Sequence, residues 1–378
     1  MKRVVIVSSD FNQTGGMDRA NYALASYLAR QGREVHLVAH SVDAGLLALP
    51  GVHFHRVARP LRSNLIGEKL IDRAGRYWAA RLTDDDTRVV VNGGNCVWPG
   101  ANWVHYVHAA YEPTTCGHWS RRAKANLSRR MFLANERAAV PQSQLIFANS
   151  ERTRHDLMTH LRLPGEKIRT IYLGVDPRQF HPATSAERSA LRQKWGWGEQ
   201  ELVMMFIGAL GDRRKGFDLV MEAWQKLCKM DWNVRLVVVG IGAEIPRWKR
   251  EVEAQSWKSP VEFLGFRRDV PDLLRACDGL LSPTRYESYG LGVHEAIACG
   301  VPALVSASAG VAERYKGSGL DDLLLPDPED TDDLASRLAA WRSRASAYRL
   351  AIEPLSQKLR SYTWDDMAAA MTHALEEH

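Results

Sequence analysis

The chain has 378 residues, 45% of them hydrophobic and 25% charged, which suits two ordinary globular domains and excludes a disordered or fibrous chain. Its net charge of +6 favours polyanionic or membrane-surface partners without defining one. No apolar run approaches the roughly 20 residues of a membrane span. The five cysteines are scattered and form no CxxC pair, which fits a reducing cytosol better than a disulfide framework.

The opening, MKRVVIVSSD, has a basic tip, but its apolar run stops at Ser8, so it reads as a first strand and not as a signal peptide. Strand-like and helix-like runs then alternate almost throughout. In the first half, strands are expected at Val4–Ser8, Val35–Ala39, His53–Val57, Val89–Asn92, Val104–Val107, Leu145–Asn149 and Thr170–Leu173. Helices are expected near Gly16–Gln31, Ile66–Leu82, Ser120–Ala139 and Glu151–Leu161, the last with Ser150 as its N-cap. Continuous apolar strands of this kind indicate a parallel sheet covered on both faces. The proline-bearing stretch from Val175 to Ala186 reads as a linker. The pattern then restarts, with strands at Leu202–Gly208, Val234–Val239, Val261–Leu264, Gly279–Ser282, Ala303–Val305 and Leu323–Leu325. Helices between them include Phe217–Lys229, Asp269–Cys277 and Val293–Cys299, and a last helix runs near Trp364–Glu377. Two βαβ series joined by one linker predict an α/β protein of two doubly wound parallel-sheet domains, at 1–180 and 181–360.

Several strand ends carry residues suited to ligands. The first βα turn ends in Gly15-Gly16, which permits a tight turn and close approach of backbone to a ligand. It is not GxGxxG, and the second strand does not end in the acidic residue that would hold a nicotinamide cofactor's ribose, which argues against a dehydrogenase. The segment Trp103–Ala109 holds His105 and His108. Without a third ligand nearby they are poor evidence for zinc, and on a strand they would face opposite ways. In the second half, Gly208 is followed by three successive cations, Arg213, Arg214 and Lys215, and such a loop suits phosphate although it is not a Walker loop. Gly240 ends the next strand, and Phe266-Arg267 follows the one after it.

The densest segment is SPTRYESYGLGVHEAIACGVP, residues 282–302. Glu287 and Glu295 lie eight positions apart around Ser288-Tyr289-Gly290-Leu291-Gly292. The reading of strand, loop, helix places free backbone N–H groups and a positive dipole beside Glu287, a suitable seat for a diphosphate. Glu295 is expected within the first turn or so of that helix.

This segment resembles the Glu-x7-Glu segment of retaining glycosyltransferases of family four, matching its glycines, Glu295-Ala296 and Ala298–Pro302. The resemblance is close from about Phe206 to Glu313 and looser before it. It implies the GT-B fold, two Rossmann-like domains facing a cleft, with a C-terminal helix, here 361–378, crossing back to the first domain. It implies that Gly15 and Gly16 lie under the donor diphosphate and that His108, with His105 as the fallback, touches the donor sugar. Arg214 and Lys215 would neutralise the diphosphate. Gly208, Gly240, Phe266 and Arg267 would line the nucleotide, with Ser288–Gly292 over the phosphates. Glu287 would serve the sugar and Glu295 the ribose. The chain departs from the family where Ala209 replaces a common arginine, Leu173 a common asparagine and Ala309 a common glycine. The implied reaction is transfer of a hexose, glucose as the first guess, from a nucleoside-diphosphate sugar, UDP before GDP or ADP, to a glycan or lipid-linked acceptor. No cofactor and no metal ion are expected, and the DxD run Asp84–Asp86 reads as a solvated turn. The alternatives are a GT-B nucleotide-sugar epimerase and a catalytically silent nucleotide-sugar-binding subunit.

Two basic stretches remain. Arg59–Arg81 carries six basic residues against two acidic, and Trp119–Arg137 six against one, with Trp119, Leu127, Met131, Phe132 and Leu133 interleaved. They read either as solvated helix faces or as contacts with the inner face of an anionic membrane by a cytoplasmic protein. No nucleic-acid motif is present.

Overall fold

The computed structural model describes residues 1–60, 63–114, 119–211 and 213–378, without the side chains of residues 64, 65 and 119–121. Cys116, Asp212 and the Trp119 side chain, all read from the sequence, lie outside the described residues. The chain divides into two compact units: one holds Met1–Glu112, Trp119–Gly174 and Thr363–His378, the other Val175–Tyr362.

The first unit is built on a seven-stranded sheet. Its strands are β1 (Arg3–Val7), β2 (Glu34–Ala39), β3 (Val52–Arg56), β4 (Thr87–Asn92), β5 (Ala101–Val104), β6 (Leu145–Ala148) and β7 (Ile168–Thr170), in the order β3-β2-β1-β4-β5-β6-β7. Every pairing between them is parallel. The second unit repeats the plan with β8 (Leu202–Ile207), β9 (Val234–Val239), β10 (Val261–Gly265), β11 (Gly279–Ser282), β12 (Ala303–Ser306) and β13 (Leu324–Leu325). Their order is β10-β9-β8-β11-β12-β13, again all parallel. Both orders reverse direction beside the first strand of the unit, and that is where open α/β sheets form a ligand crevice at the carboxyl ends of their strands.

Composition explains the central strands. Val4, Val5, Ile6 and Val7 are fully buried, as are Val203, Met204 and Met205, because helices cover both sheet faces. Helix Met17–Arg30 buries Ala20, Ala23, Leu24 and Leu28, a helical spacing that turns one apolar stripe inward. The C-terminal helix Trp364–Glu376 starts at a capping box between Thr363 and Asp366 and packs on helix Met17–Arg30. Arg30 pairs with Asp365 at 2.6 Å, Arg33 with Glu376 at 2.8 Å, and Arg88 Nε donates to the Leu375 carbonyl at 3.0 Å. Gly174 lies so close to Thr363 that a Cβ would sit 2.2 Å from its carbonyl oxygen.

Four expectations shift. The strand expected at Val104–Val107 ends at Val104, and residues 108–110 form a 3-10 turn. The cause is the buried carboxylate of Glu136, which accepts from the backbone N–H of His108 at 2.7 Å and of Ala109 at 2.9 Å. The opposite-face argument for His105 and His108 therefore does not apply. The strand expected at Thr170–Leu173 runs Ile168–Thr170, the chain leaving the sheet toward Gly174. The linker expected to reach Ala186 already enters a helix at Ser185, because Thr184 and Glu187 form a capping box. The helix expected from Val293 starts at Leu291, with Gly290 as its N-cap at φ +109°.

At the carboxyl ends of β8 and β9 the backbones nearly touch. Gly240 sits at φ +147°, and a Cβ there would lie 1.9 Å from the Gly208 carbonyl oxygen. Gly240→Ala combines a forbidden backbone conformation with a backbone clash, so a loss of about 3 kcal/mol is expected. Urea unfolding of the purified variant measures it, and a loss below about 0.5 kcal/mol would refute the account.

Candidate active site

In the second unit the site is built from two loops. Residues 213–215 form a single 3-10 turn between β8 and helix Phe217–Cys228, entered through Gly216 at φ +73°. A Cβ on Gly216 would lie 1.9 Å from the Pro283 carbonyl oxygen, so glycine lets this turn press against the loop after β11. From there Lys215 Nζ bonds Glu287 Oε2, and Arg214 Nη1 reaches the same oxygen at 3.4 Å and the Tyr286 carbonyl at 3.1 Å. Burial works to raise the Glu287 carboxyl, but Lys215 and Arg214 outweigh it and hold the group below the ordinary carboxylate range. Its side chain keeps 13% exposure. A Cβ on Gly208 would meet Lys215 Cγ at 3.2 Å, so that glycine leaves room for the lysine stem. Arg213 turns elsewhere, 3.7 Å from Asp218.

One residue here escaped sequence reading. Arg285 donates to both oxygens of Asp218, at 2.8 and 3.0 Å, to Glu329 and to the Arg213 carbonyl, while its own N–H bonds the Arg214 carbonyl at 2.9 Å. Burial opposes its charge, but Asp218 and Glu329 raise its pKa above the ordinary arginine value. It ties the cationic turn to the Glu287 loop. Its only sequence signal is a lone arginine beside Glu287 with an acidic residue in the first turn of the following helix.

Beyond Glu287 the chain is buried at Ser288, Tyr289 and Gly290. Gly310 N–H donates to the Glu287 carbonyl at 3.1 Å, and Val311 N–H to that of Tyr289 at 2.6 Å. Helix Leu291–Ala298 has no side-chain cap, so its first backbone donors are open to a ligand. Tyr289 OH bonds His294 Nδ1, and burial, aided by the Arg314 charge, pushes His294 down to about 3. Glu295, 6% exposed, is the fifth helical residue, at the start of the second turn and not in the first. Three strand-end loops also come together: Gly208 N–H bonds the Val239 carbonyl at 3.0 Å, and Gly240 N–H bonds that of Gly265 at 2.9 Å. Phe266 is 61% exposed beside them. The Arg267 guanidinium is engaged by Asp269 at 2.6 Å and lies over the Trp195 ring at 4.8 Å, which leaves backbone as this position's contribution.

In the first unit, His105 and His108 both line a cavity of about 140 Å³, with Ser9, Glu68, Asn92 and Phe132. His108 stacks on Phe132 at 5.1 Å. Burial and then Arg129 push it down to about 4, and burial pushes His105 to about 3, so both rings are neutral near pH 7. Gly15, at φ +82°, is exposed, and Gly16 caps helix Met17–Arg30 without a side-chain hydrogen bond. Asp18, in the first turn of that helix, was also missed. Burial, then the charge of Asp10, push it up to about 6. The DxD residues are paired: Asp84 with Arg3 at 3.1 Å and Asp86 with Lys2 at 2.7 Å.

Two parallel-sheet Rossmann-like units, with a basic turn, buried carboxylates and an uncapped helix start at strand ends, define the class of GT-B nucleotide-sugar glycosyltransferases. Residues 14–179 match the family described as Glycosyltransferase Family 4, and residues 201–342 that described as Glycosyl transferases group 1. The D-inositol 3-phosphate glycosyltransferase of Xylanimonas cellulosilytica is 28% identical over 94% of this chain and 90% of its own length. That of Stackebrandtia nassauensis is 27% identical over 75% of this chain and 66% of its own length. Among solved structures, WaaG, a glycosyltransferase involved in lipopolysaccharide biosynthesis, superposes with a TM-score of 0.76 at 21% identity, covering 98% of this chain and 99% of that one. Anabaena Alr3699/HepE in complex with UDP-glucose does so with 0.69 at 16% identity, covering both chains fully, 100% and 100%. The chain belongs to glycosyltransferase family four.

Arg285→Ala should free the Glu287 loop and leave half-buried Asp218 with only the more distant Arg213, 3.7 Å away. A loss of about 2 kcal/mol is expected, after discounting for solvent, and hydrogen exchange of Tyr286–Gly290 should quicken; unchanged exchange would refute the tie. The Asp18 pKa is raised on folding, so the folded state binds the proton more tightly, and the charged form costs stability above about pH 6. Asp18→Asn should therefore stabilise the protein at pH 8, by about 2 kcal/mol at most, and lose the advantage below pH 4. Equal unfolding midpoints at pH 8 would contradict this.

Proposed function

We propose that this chain is a retaining hexosyltransferase that moves glucose from UDP-glucose, ahead of GDP- or ADP-linked sugars, to a glycan or lipid-linked acceptor without a metal ion at the donor diphosphate. The observation that carries the reading is the convergence of Lys215 and Arg214 on the single carboxylate of Glu287, beside the open N–H groups of helix Leu291–Ala298. Cations beside open backbone N–H groups suit an anionic ligand. The UDP-glucose held by Alr3699/HepE supports the choice of donor.

Breaking the glycosidic bond sends negative charge to the β-phosphate oxygen. Lys215, Arg214 and the N–H groups at Tyr289–Gly292 stabilise that charge, and fixed groups that need no reorganisation are the strongest kind of help. The sugar becomes cationic as the bond lengthens, and Glu287 holds its hydroxyls and lends negative potential. Glu295 grips the ribose, and the loops at Gly208, Gly240 and Phe266-Arg267 seat the nucleoside. In the first unit, neutral His108, with His105 as the fallback, is the candidate contact for a sugar hydroxyl. The leaving phosphate oxygen takes the acceptor's proton, so the new bond forms on the face from which the old one breaks. A carboxylate clamped by two cations is a poor nucleophile, which favours this route over a covalent intermediate on Glu287.

No helix among the described residues is long and apolar enough to cross a membrane. Helix Trp119–Ala139 exposes Leu127, at 59%, among Arg122, Lys124 and Arg130, and this supports peripheral contact with the inner face of a membrane from the cytoplasm.

A thermal-shift series in EDTA tests the donor: UDP-glucose should raise the melting temperature more than GDP- or ADP-glucose. Lys215→Ala should lower turnover by about 10²- to 10³-fold. Glu295→Ala should weaken donor binding by about tenfold, the worth of one charged hydrogen bond. Near-wild-type kinetics in both variants would remove the assignment. Isomerised nucleotide sugar formed without acceptor would identify an epimerase, and binding without transfer a silent subunit.

A further inference from the structure

Two neighbouring strands of the first unit bring four donor side chains together. β2 contributes Glu34 and His36, and β3 contributes His53 and His55. Residues two apart on a strand share a face, and the register sets His36 directly beside His53. The ligating atoms of Glu34, His36 and His53 lie within 4.8 Å of one another. Glu34 Oε1 is 2.9 Å from His36 Nε2 and 3.6 Å from His53 Nε2, the second too long for a hydrogen bond. The rings of His36 and His53 stack at 4.7 Å.

We propose that Glu34, His36 and His53 bind a divalent transition-metal ion, zinc by preference. Two imidazole nitrogens and one carboxylate oxygen form a recognised zinc ligand set, with water in the fourth position. Tetrahedral bonds of about 2.0 Å place ligand atoms about 3.3 Å apart, and the two separations from Glu34 Oε1 fall on either side of that value. The surroundings are those of a metal site as well. The remaining His36 nitrogen, Nδ1, lies 2.8 Å from His55 Nε2, and His55 stacks on Trp78 at 3.6 Å. The remaining Glu34 oxygen, Oε2, accepts from Arg3 Nε at 2.9 Å. Such outer partners fix the tautomer of a ligating histidine and the direction of a ligating carboxylate. The His53 side chain is 50% exposed and that of Glu34 39%, so an ion enters from solvent. The cluster occupies the flank of the sheet, with Glu34 at the amino end of β2, whereas the proposed donor contacts stand at carboxyl ends. Its effect is to clamp β3, which has a single neighbour in the sheet, onto β2.

Equilibrium dialysis of the untagged full chain against Zn²⁺, with metal analysis, tests the site. The wild type should take up one equivalent and gain about 5 °C in melting temperature at 100-fold excess over Kd. The Co²⁺-loaded protein should show the visible bands of a four-coordinate ion. His53→Ala, at a half-exposed position, should weaken binding at least 10-fold and abolish those bands, as should Glu34→Gln. His55→Ala should weaken it by about 10- to 100-fold. His373→Ala, at an exposed histidine outside this cluster, should change nothing. Absence of stoichiometric zinc in the wild type, or unaltered affinity in both His53→Ala and Glu34→Gln, would overturn the proposal. Donor binding measured in EDTA is read separately, so failure of one does not touch the other.

Discussion

Arg285 is the constraint on which the second unit's site depends. Its guanidinium spans Asp218, Glu329 and the Arg213 carbonyl, while its backbone bonds the Arg214 carbonyl. Lys215 and Arg214 would otherwise sit on a turn beside solvent, where long cationic side chains sample many rotamers and lose entropy when they bind. Tying the turn to the loop after β11 pre-arranges both cations around Glu287. A carboxylate buried alone would take up a proton, and here the paired cations keep it charged. The ionic state of the site and the path of its backbone are one problem with one solution.

The second determinant is backbone proximity. Parallel strands deliver their carboxyl ends to one edge, and the loops that leave them must pass within van der Waals contact. Gly208, Gly216 and Gly240 stand where a Cβ would strike a neighbouring carbonyl or the Lys215 stem. Glycine is used there less for flexibility than for thinness. It brings peptide N–H and C=O groups to the surface that a ligand would meet.

Much of this was legible in the sequence. Short apolar runs separated by helical spacing gave both sheets, because a strand buried on two faces is apolar along its whole length. Glu287, Lys215 and Arg214 stood out singly as charges beside glycines at strand ends, and the family resemblance gave them roles; their pairing with one another was not read. What escaped was long-range. Arg285 looks like any surface arginine until Asp218 and Glu329 are folded against it. Glu136 gave no sign that it would end β5 by capping the turn at His108, some 28 residues earlier. The His36–His53 pairing depends on register between two strands, which neither strand encodes alone. Asp18 and Glu295 were misjudged or missed for a related reason: burial and exact helix start are set by packing, not by local spacing.

The C-terminal helix bears on how the chain is made. Thr363–His378 completes the first unit by covering helix Met17–Arg30 and by pairing with Arg30, Arg33 and Arg88. A ribosome delivers the bulk of that unit first and this piece only after all of Val175–Tyr362 has emerged. The first unit must therefore wait, with an apolar helix face uncovered, while the second is synthesised and free to fold. The first unit is completed only after the second has been made, and termination between residues 175 and 362 leaves that face bare.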